Sequence, residues 1–328
     1  MPLSLISQLA HVEIMSPKPD ESVRFFENVM GLEISARQGQ SVYLRGWGEH
    51  FHHSLKITEG AEPALGHIGW RSSGVAELDE AVARIEATGR GIGWVDGEAG
   101  HGRAYRYRGP GGHLHEVFWE VERFVATGGM TPVYPTRPQR FAPRGIAARN
   151  IDHVTVSSRG IMEDVAWFRD TLGHRFMEYT VSDTNSDFVV FAMTTVCERG
   201  HDMGFLIDPS NKAGRLHHVA FWVDSGEELR RSADVLLDSG YPIEFGPSRH
   251  GHGEQDFLYC REPGGIRVEL NTGGYRNYQP DWTAVRWTPS QGSNVYYRNM
   301  TAPSATMEAF PPVDAVVSEA IMKSALIT

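Results

Sequence analysis

The chain has 328 residues, 41% hydrophobic and 22% charged, with a formal net charge of −10 at pH 7. That profile fits a globular protein long enough for two domains, and an acidic balance with no basic stripe argues against a nucleic-acid backbone as partner. No run approaches the roughly 18 apolar residues of a membrane helix, the opening MPLSLISQLAHVEI lacks the basic start of a signal peptide, and Cys197 and Cys260 form no CxxC motif, so a cytoplasmic protein without disulfides and without a membrane partner is expected.

Taken in chain order, His11–Glu33 (HVEIMSPKPDESVRFFENVMGLE) reads as a short strand followed by an amphipathic helix. Val23, Phe26 and Met30 share the helix's apolar face, and Gly31 ends it as a left-handed cap residue would. Leu65–Gly89 is again strand, loop, helix and glycine, and Gly109–Trp119 is a Pro-Gly-Gly turn feeding a strand. Residues 131–148 are rich in Pro and Arg and read as a linker between a domain at 1–130 and another at 149–280.

The series then returns. His153–Arg175 lies over His11–Glu33 without a gap, with Val165, Phe168, Leu172 and Gly173 at the matching places. His217–Gly240 repeats Leu65–Gly89, and Glu262–Thr272 repeats Gly109–Trp119. Each half therefore holds two units of strand, helix and further strands. Gly111/Gly112 and Gly264/Gly265 are turns rather than phosphate loops, because strands and not helices follow them. The repeat stops after Gly274; residues 281–328 are an aromatic-rich tail ending in a candidate helix, Val313–Leu326.

Strand alternation separates two faces in the second half. His153 falls with Thr155 and Ser157, opposite Val154 and Val156. His218 falls with Ala220 and Trp222, which places His217 on the opposite, apolar face. Glu269 falls with Arg267 and Asn271, opposite Val268 and Leu270. A strand histidine is by itself more often a hydrogen-bonded structural residue than a ligand. A sheet curved with these polar faces inward would, however, bring two imidazoles and a carboxylate together with open positions left over, the set that suits non-heme Fe(II).

This pattern, carried by "DHV", "RLHHVAFW", "RHGHGEQDFLY" and "PGGIRVEL", resembles the vicinal oxygen chelate superfamily and, within it, the type I extradiol catechol dioxygenases. The resemblance implies an α+β fold of two domains, each of two βαβββ modules forming a curved sheet around a central cavity. It implies His153, His218 and Glu269 as ligands of Fe(II), ahead of Mn(II). It makes His201, His250 and Tyr259 the catalytic groups around the metal. His250 and Tyr259 would hydrogen-bond the substrate oxygens, and His201, an imidazole titrating near neutral pH, would be the acid in O–O cleavage. His252 is an alternative to His250, and Asp256 is a candidate partner for an active-site histidine.

The implied reaction inserts both atoms of O2 into a catechol beside the diol, giving a 2-hydroxymuconic semialdehyde, in a homo-oligomer of four or more chains. Relatives that take arylacetates carry Arg where this chain has Phe245, so Phe245 at the substrate points to a neutral single-ring catechol, with or without an alkyl group. The runner-up substrate is 2,3-dihydroxybiphenyl. A metal-dependent lyase or isomerase of the same superfamily and a ligand-sequestering protein are the other classes. In the first half, His11, His67 and Glu116 repeat the ligand types, but Arg106 stands where Tyr259 does and Gly97 where His250 does. The expectation is a vestigial metal site there, with histidines of "EHFHHSLK" near the position of His201.

Overall fold

The computed structural model describes residues 4–141, 143–297 and 302–313, so all but the first residue of the expected helix Val313–Leu326 lies outside the described residues. The first half runs β1 (Ile6–Ser16), α1 (Pro19–Arg24), β2 (Glu33–Gln38), β3 (Ser41–Arg45), β4 (Leu55–Glu59), β5 (Ala64–Ser72), α2 (Val75–Ala87), β6 (Gly91–Val95), β7 (Ala104–Arg108) and β8 (Leu114–Phe118). The second half repeats it: β9 (Asn150–Ser158), α3 (Ile161–Trp167), β10 (Arg175–Val181), β11 (Val189–Thr195), β12 (Met203–Ile207), β13 (Arg215–Trp222), α4 (Gly226–Asp238), β14 (Ile243–Arg249), β15 (Gln255–Arg261) and β16 (Arg267–Gly273). Among the described residues no helix is long and apolar enough to cross a membrane.

The first half forms an 8-stranded sheet in the order β2-β3-β4-β1-β5-β8-β7-β6. Two βαβββ modules thus join through the antiparallel pair β1–β5, and each module closes with a parallel pair, β1–β4 and β5–β8. The second sheet repeats this as β14-β15-β16-β13-β9-β12-β11-β10, and a further strand from the tail, β17 (Val285–Trp287), makes it 9-stranded. The central antiparallel pairs β1–β5 and β9–β13 are interrupted by register shifts, among them one between Leu216 and His218.

Both α1 and α3 run on into a π-helical turn, at Phe25–Val29 and Phe168–Leu172. The residues read from the sequence as the helices' apolar faces (Val23, Phe26, Met30, Val165, Phe168, Leu172) are all buried. Gly31 has φ +78°, and a Cβ there would lie 2.2 Å from the Arg144 carbonyl, so this cap requires glycine twice over. The same contact docks the end of the expected linker: Ile146 N–H donates to the Val29 carbonyl at 2.8 Å, and the Arg144 guanidinium donates to those of Glu27 and Leu32.

The two halves share a core. One hydrophobic cluster runs through both, because the outer helices of each half pack against the other. Phe25 lies 4.8 Å from Tyr241, and Tyr107 stacks 5.6 Å from Trp167. The tail adds further ties. Glu178 accepts hydrogen bonds from Tyr275 and Trp287, Phe310 exchanges backbone hydrogen bonds with Leu216, and Leu65 N–H donates to Pro311.

Candidate metal centre and active site

Three neighbouring strands in the middle of the second sheet, β16, β13 and β9, bring Glu269, His218 and His153 to one point on the concave face. Register accounts for the convergence: His218 sits beside Thr155, and Ala220 beside Glu269. His153 Nε2 is 3.1 Å from both His218 Nε2 and Glu269 Oε2, and His218 Nε2 is 2.8 Å from Glu269 Oε2. Donors about 2.1 Å from a shared ion and at right angles to one another would be about 3.0 Å apart. The three donor atoms therefore already have the spacing of a facial metal site, and all three side chains are buried.

Chains of hydrogen bonds turn the correct nitrogen of each imidazole inward. Asp152 Oδ2, 2.9 Å away, accepts from His153 Nδ1–H, which leaves Nε2 with its lone pair facing Glu269 and His218. Asp152 is held in turn by Arg199 at 2.7 Å and Asn271 at 2.9 Å. On the other side His217 Nε2–H donates to the Thr306 carbonyl, so its Nδ1 accepts from His218 Nδ1–H at 2.6 Å. His218 Nε2 is thereby left unprotonated and aimed at the same point.

These supporting residues revise two expectations. His217 is not on the opposite face: a bulge between Leu216 and His218 interrupts the alternation, and both histidines line the cavity. The carboxylate that meets an active-site histidine is Asp152, not Asp256, which lies on the far side of β15 from Phe257 and Tyr259. The dipeptide Asp152-His153 was the available signal for the carboxylate; the bulge left no signal in the sequence.

Around the triad is a cavity of about 380 Å³, lined also by His201, Phe245, His250, His252, Tyr259 and the tail residues Thr306 and Met307. His201, just before β12, places its ring 4.0 Å from that of His153, and its Nδ1 is buried without a hydrogen-bond partner. His250 Nδ1–H donates to the Asn294 carbonyl, so Nε2 accepts the Tyr259 hydroxyl at 3.2 Å. His252 is also buried at the cavity wall, stacked on Phe191, and it is His250 that reaches Tyr259 and, at 3.7 Å, Glu269. Phe245 is buried 6.5 Å from Tyr259, with the two rings near parallel.

Burial dominates the electrostatics. It opposes charge on His153, but the Glu269 and Asp152 carboxylates outweigh it and lift the pKa to about 9, so a metal ion must displace a proton from Nε2 to use that lone pair. Burial takes His218 down to about 4. Burial first, and His153 second, pull His201 well below its ordinary value, so it is a neutral imidazole and not a group titrating near neutrality. Burial and the nearby Glu269 push the Tyr259 hydroxyl well above its ordinary value, keeping it protonated.

In the first sheet, His11, His67 and Glu116 converge in the same way. Arg106 faces Glu116 in the register that Tyr259 has with Glu269, as the repeat predicts. The register also settles the loop: Val12 pairs with Leu55 as Val154 pairs with Met203, which puts His53 at the place of His201. Among the described residues, the pocket that reaches His11 holds about 10 Å³, far less than the cavity beside His153.

The sequence profile of the Glyoxalase/Bleomycin resistance protein/Dioxygenase superfamily matches residues 8–117 and 150–270. The chain is 38% identical over 287 residues to a metapyrocatechase of Geobacillus stearothermophilus, covering 87% of each chain. It is 35% identical to a manganese-dependent 2,3-dihydroxybiphenyl 1,2-dioxygenase of Geobacillus genomosp. 3, covering 86% of this chain and 90% of that one. Among solved structures, homoprotocatechuate 2,3-dioxygenase of Arthrobacter globiformis superposes with a TM-score of 0.81 at 25% identity, over 94% of this chain and 93% of that one. The 2,3-dioxygenase LapB of Pseudomonas sp. KL28 gives 0.80 at 25%, over 88% and 99%. With both halves matched and the site carried on the repeated sheet, the chain belongs to the Glyoxalase/Bleomycin resistance protein/Dioxygenase superfamily.

Proposed function

We propose that the protein is an extradiol dioxygenase that cleaves a catechol beside its two hydroxyls, with His153, His218 and Glu269 as the ligands of a divalent metal. The observation that carries this reading is the inward-facing His/His/Glu triad at the wall of a 380 Å³ cavity, with a second tier of His201, His250 and Tyr259. The donor set fits the ion: two imidazole lone pairs and a carboxylate are already at ligand spacing, and Glu269 Oε1 is buried without a partner. Fe(II) is the favoured metal from the donor set. Mn(II) is a specific alternative, given the manganese-dependent relative.

The metal, when bound, supplies the Lewis acidity that lowers the catechol's pKa and a common template for catechol and O2. The chain's own groups then move the protons. Because Tyr259 donates its hydrogen to His250 Nε2, its oxygen is free to accept from a catechol hydroxyl. A proton can thus pass from the substrate to Tyr259 as the tyrosine's own moves to His250 Nε2. Neutral His201, with Nδ1 unpartnered, is able to take up a proton and return it as acid when the O–O bond breaks. Thr306 and Met307 of the tail form part of the cavity wall.

The cavity wall favours a substrate without charge. Arg267 lines it, but all five guanidinium N–H groups are engaged, with Glu244 and the carbonyls of His217, Ala305 and Glu308. Phe245 offers a carboxylate nothing. We therefore expect kcat/KM for 3,4-dihydroxyphenylacetate to be at least about 100-fold below that for catechol or an alkylcatechol, about 2.7 kcal/mol of unpaired charge. A 2,3-dihydroxybiphenyl substrate is the second reading, supported by the relative that acts on it; kinetics across the panel decide between them.

The overall test is direct. Protein loaded anaerobically with Fe(II) or Mn(II) and mixed with catechol should turn yellow when air is admitted. Absence of ring-fission product with catechol, alkylcatechols and 2,3-dihydroxybiphenyl, with either metal, would sink the reading. Substitutions behind the ligands provide a finer check. Asp152→Ala and His217→Ala should each weaken metal binding about 10–100-fold, measured by chelator competition, through loss of ligand orientation. His201→Ala should lower kcat about 100- to 10,000-fold while leaving metal content unchanged.

A further inference from the structure

The first sheet carries a second convergence of donors that the proposed reaction does not use. His11 Nε2 and His67 Nε2 are 2.8 Å apart, and Glu116 Oε1 lies 3.4 Å from the first and 3.3 Å from the second. Donors about 2.1 Å from one ion are about 3.0 Å apart at right angles and about 3.4 Å apart at the tetrahedral angle. These separations span that range, so one point is at bonding distance from all three atoms without rearrangement.

The surroundings are arranged for a ligand role as well. Glu13 Oε2 accepts from His67 Nδ1–H at 2.8 Å, as Asp152 does from His153, and so directs the Nε2 lone pair inward. Arg106 Nε donates to Glu116 Oε2 at 3.2 Å, engaging the oxygen that faces away from the histidines. Glu116 Oε1 is left buried with no hydrogen-bond partner, and so are His101 Nε2, 3.4 Å from it, and His53 Nε2. Unpartnered buried polar atoms are costly; three of them around one point call for an occupant.

We propose that His11, His67 and Glu116 hold a second divalent transition-metal ion, with His101 as the adjacent fourth donor. It is a closed site without a substrate role. Space excludes a catechol, because the opening beside His11 is about 10 Å³, room for about one water, against about 380 Å³ in the second sheet. The guanidinium of Arg106 also fills the place that Tyr259 has beside Glu269. Two imidazoles with a carboxylate and few open positions suit Zn(II) or Co(II), and the ion would tie the middles of β1, β5 and β8 to one another. The vestige expected from the repeat is thus assigned a structural role of its own, independent of whether the second sheet cleaves catechols.

The test uses full-length protein stripped with a chelator and titrated anaerobically with Co(II), followed by visible absorption and by metal analysis after equilibrium dialysis. Wild type should bind two ions per chain, Glu116→Gln one, and His218→Asn one. His11→Asn serves in place of Glu116→Gln if that variant does not fold. A wild type that binds one ion, or a His218→Asn variant that binds none, overturns the proposal. So does a folded Glu116→Gln or His11→Asn variant that still binds two.

Discussion

His218→Ala should lower catechol cleavage at least about a thousandfold, equivalent to about 4 kcal/mol of barrier, and should remove one ion per chain. The size of the effect follows from the geometry. His218 Nε2 is one of three donors, 2.8 Å from Glu269 Oε2 and 3.1 Å from His153 Nε2, and its tautomer is set by the relay through His217 to Thr306. Alanine removes the donor and leaves His217 Nδ1 without the N–H it accepts. His250 is not a ready substitute, because it is engaged by Asn294 and Tyr259. Steady-state oxygen uptake and metal analysis on the same sample give the two numbers. Loss of cleavage in His67→Ala with retention in His218→Ala would move the reaction to the first sheet.

The largest stability effect is expected at Arg267. Its guanidinium is fully buried, makes paired hydrogen bonds to Glu244 at 2.7 and 3.0 Å, and holds the tail through the carbonyls of Ala305 and Glu308. Arg267→Met leaves these acceptors unmet and Glu244 with only Arg261, so unfolding free energy should fall by about 3–5 kcal/mol. Denaturant titration measures that loss, and limited proteolysis around residues 302–313 should reveal a released tail. An unchanged denaturation midpoint with a protected tail would contradict the assignment.

The pH dependence of the same cluster has a definite sign. Burial alone would raise the Glu244 carboxyl, but Arg267 and Arg261 outweigh it and hold its pKa below the ordinary value. A depressed folded-state pKa contributes stability that is present above the unfolded value, about 4.3, and lost as pH falls through the folded one. Wild type should therefore lose more stability on acidification below about pH 4.3 than Glu244→Gln does, as read from denaturation midpoints across that window.

Much of the site was legible because the repeat could be read residue by residue. His153, His218 and Glu269 stand at matching points of strands whose alternation is visible in the letters. The nine-residue interval between His250 and Tyr259 is short enough for one hairpin to define. Arg106 as the counterpart of Tyr259 followed from the same repeat and holds in the register. His217 was misplaced because a single bulge shifts alternation by one residue, and nothing in "RLHHVAFW" marks it. Asp152 alternates in step with the apolar Val154 and Val156, yet its carboxylate turns to the adjacent histidine and to Arg199.

Local pattern, set by backbone periodicity and glycine geometry, was enough for the order of strands and helices in each half, the helix-ending Gly31 and Gly173, and the repeated His, His and Glu of the two halves. These depend on neighbours a few residues apart, and sequence records such neighbours directly. The shared core between the halves, the relay from Thr306 through His217 to His218, and the tail at the cavity wall depend on segments far apart in the chain, 89 residues in the case of His217 and Thr306. The difference between an open cavity beside His153 and a nearly closed one beside His11 is of the same kind. It arises from how side chains fill the concave face of each sheet, and volume is a property of packing in three dimensions that no spacing along the chain encodes.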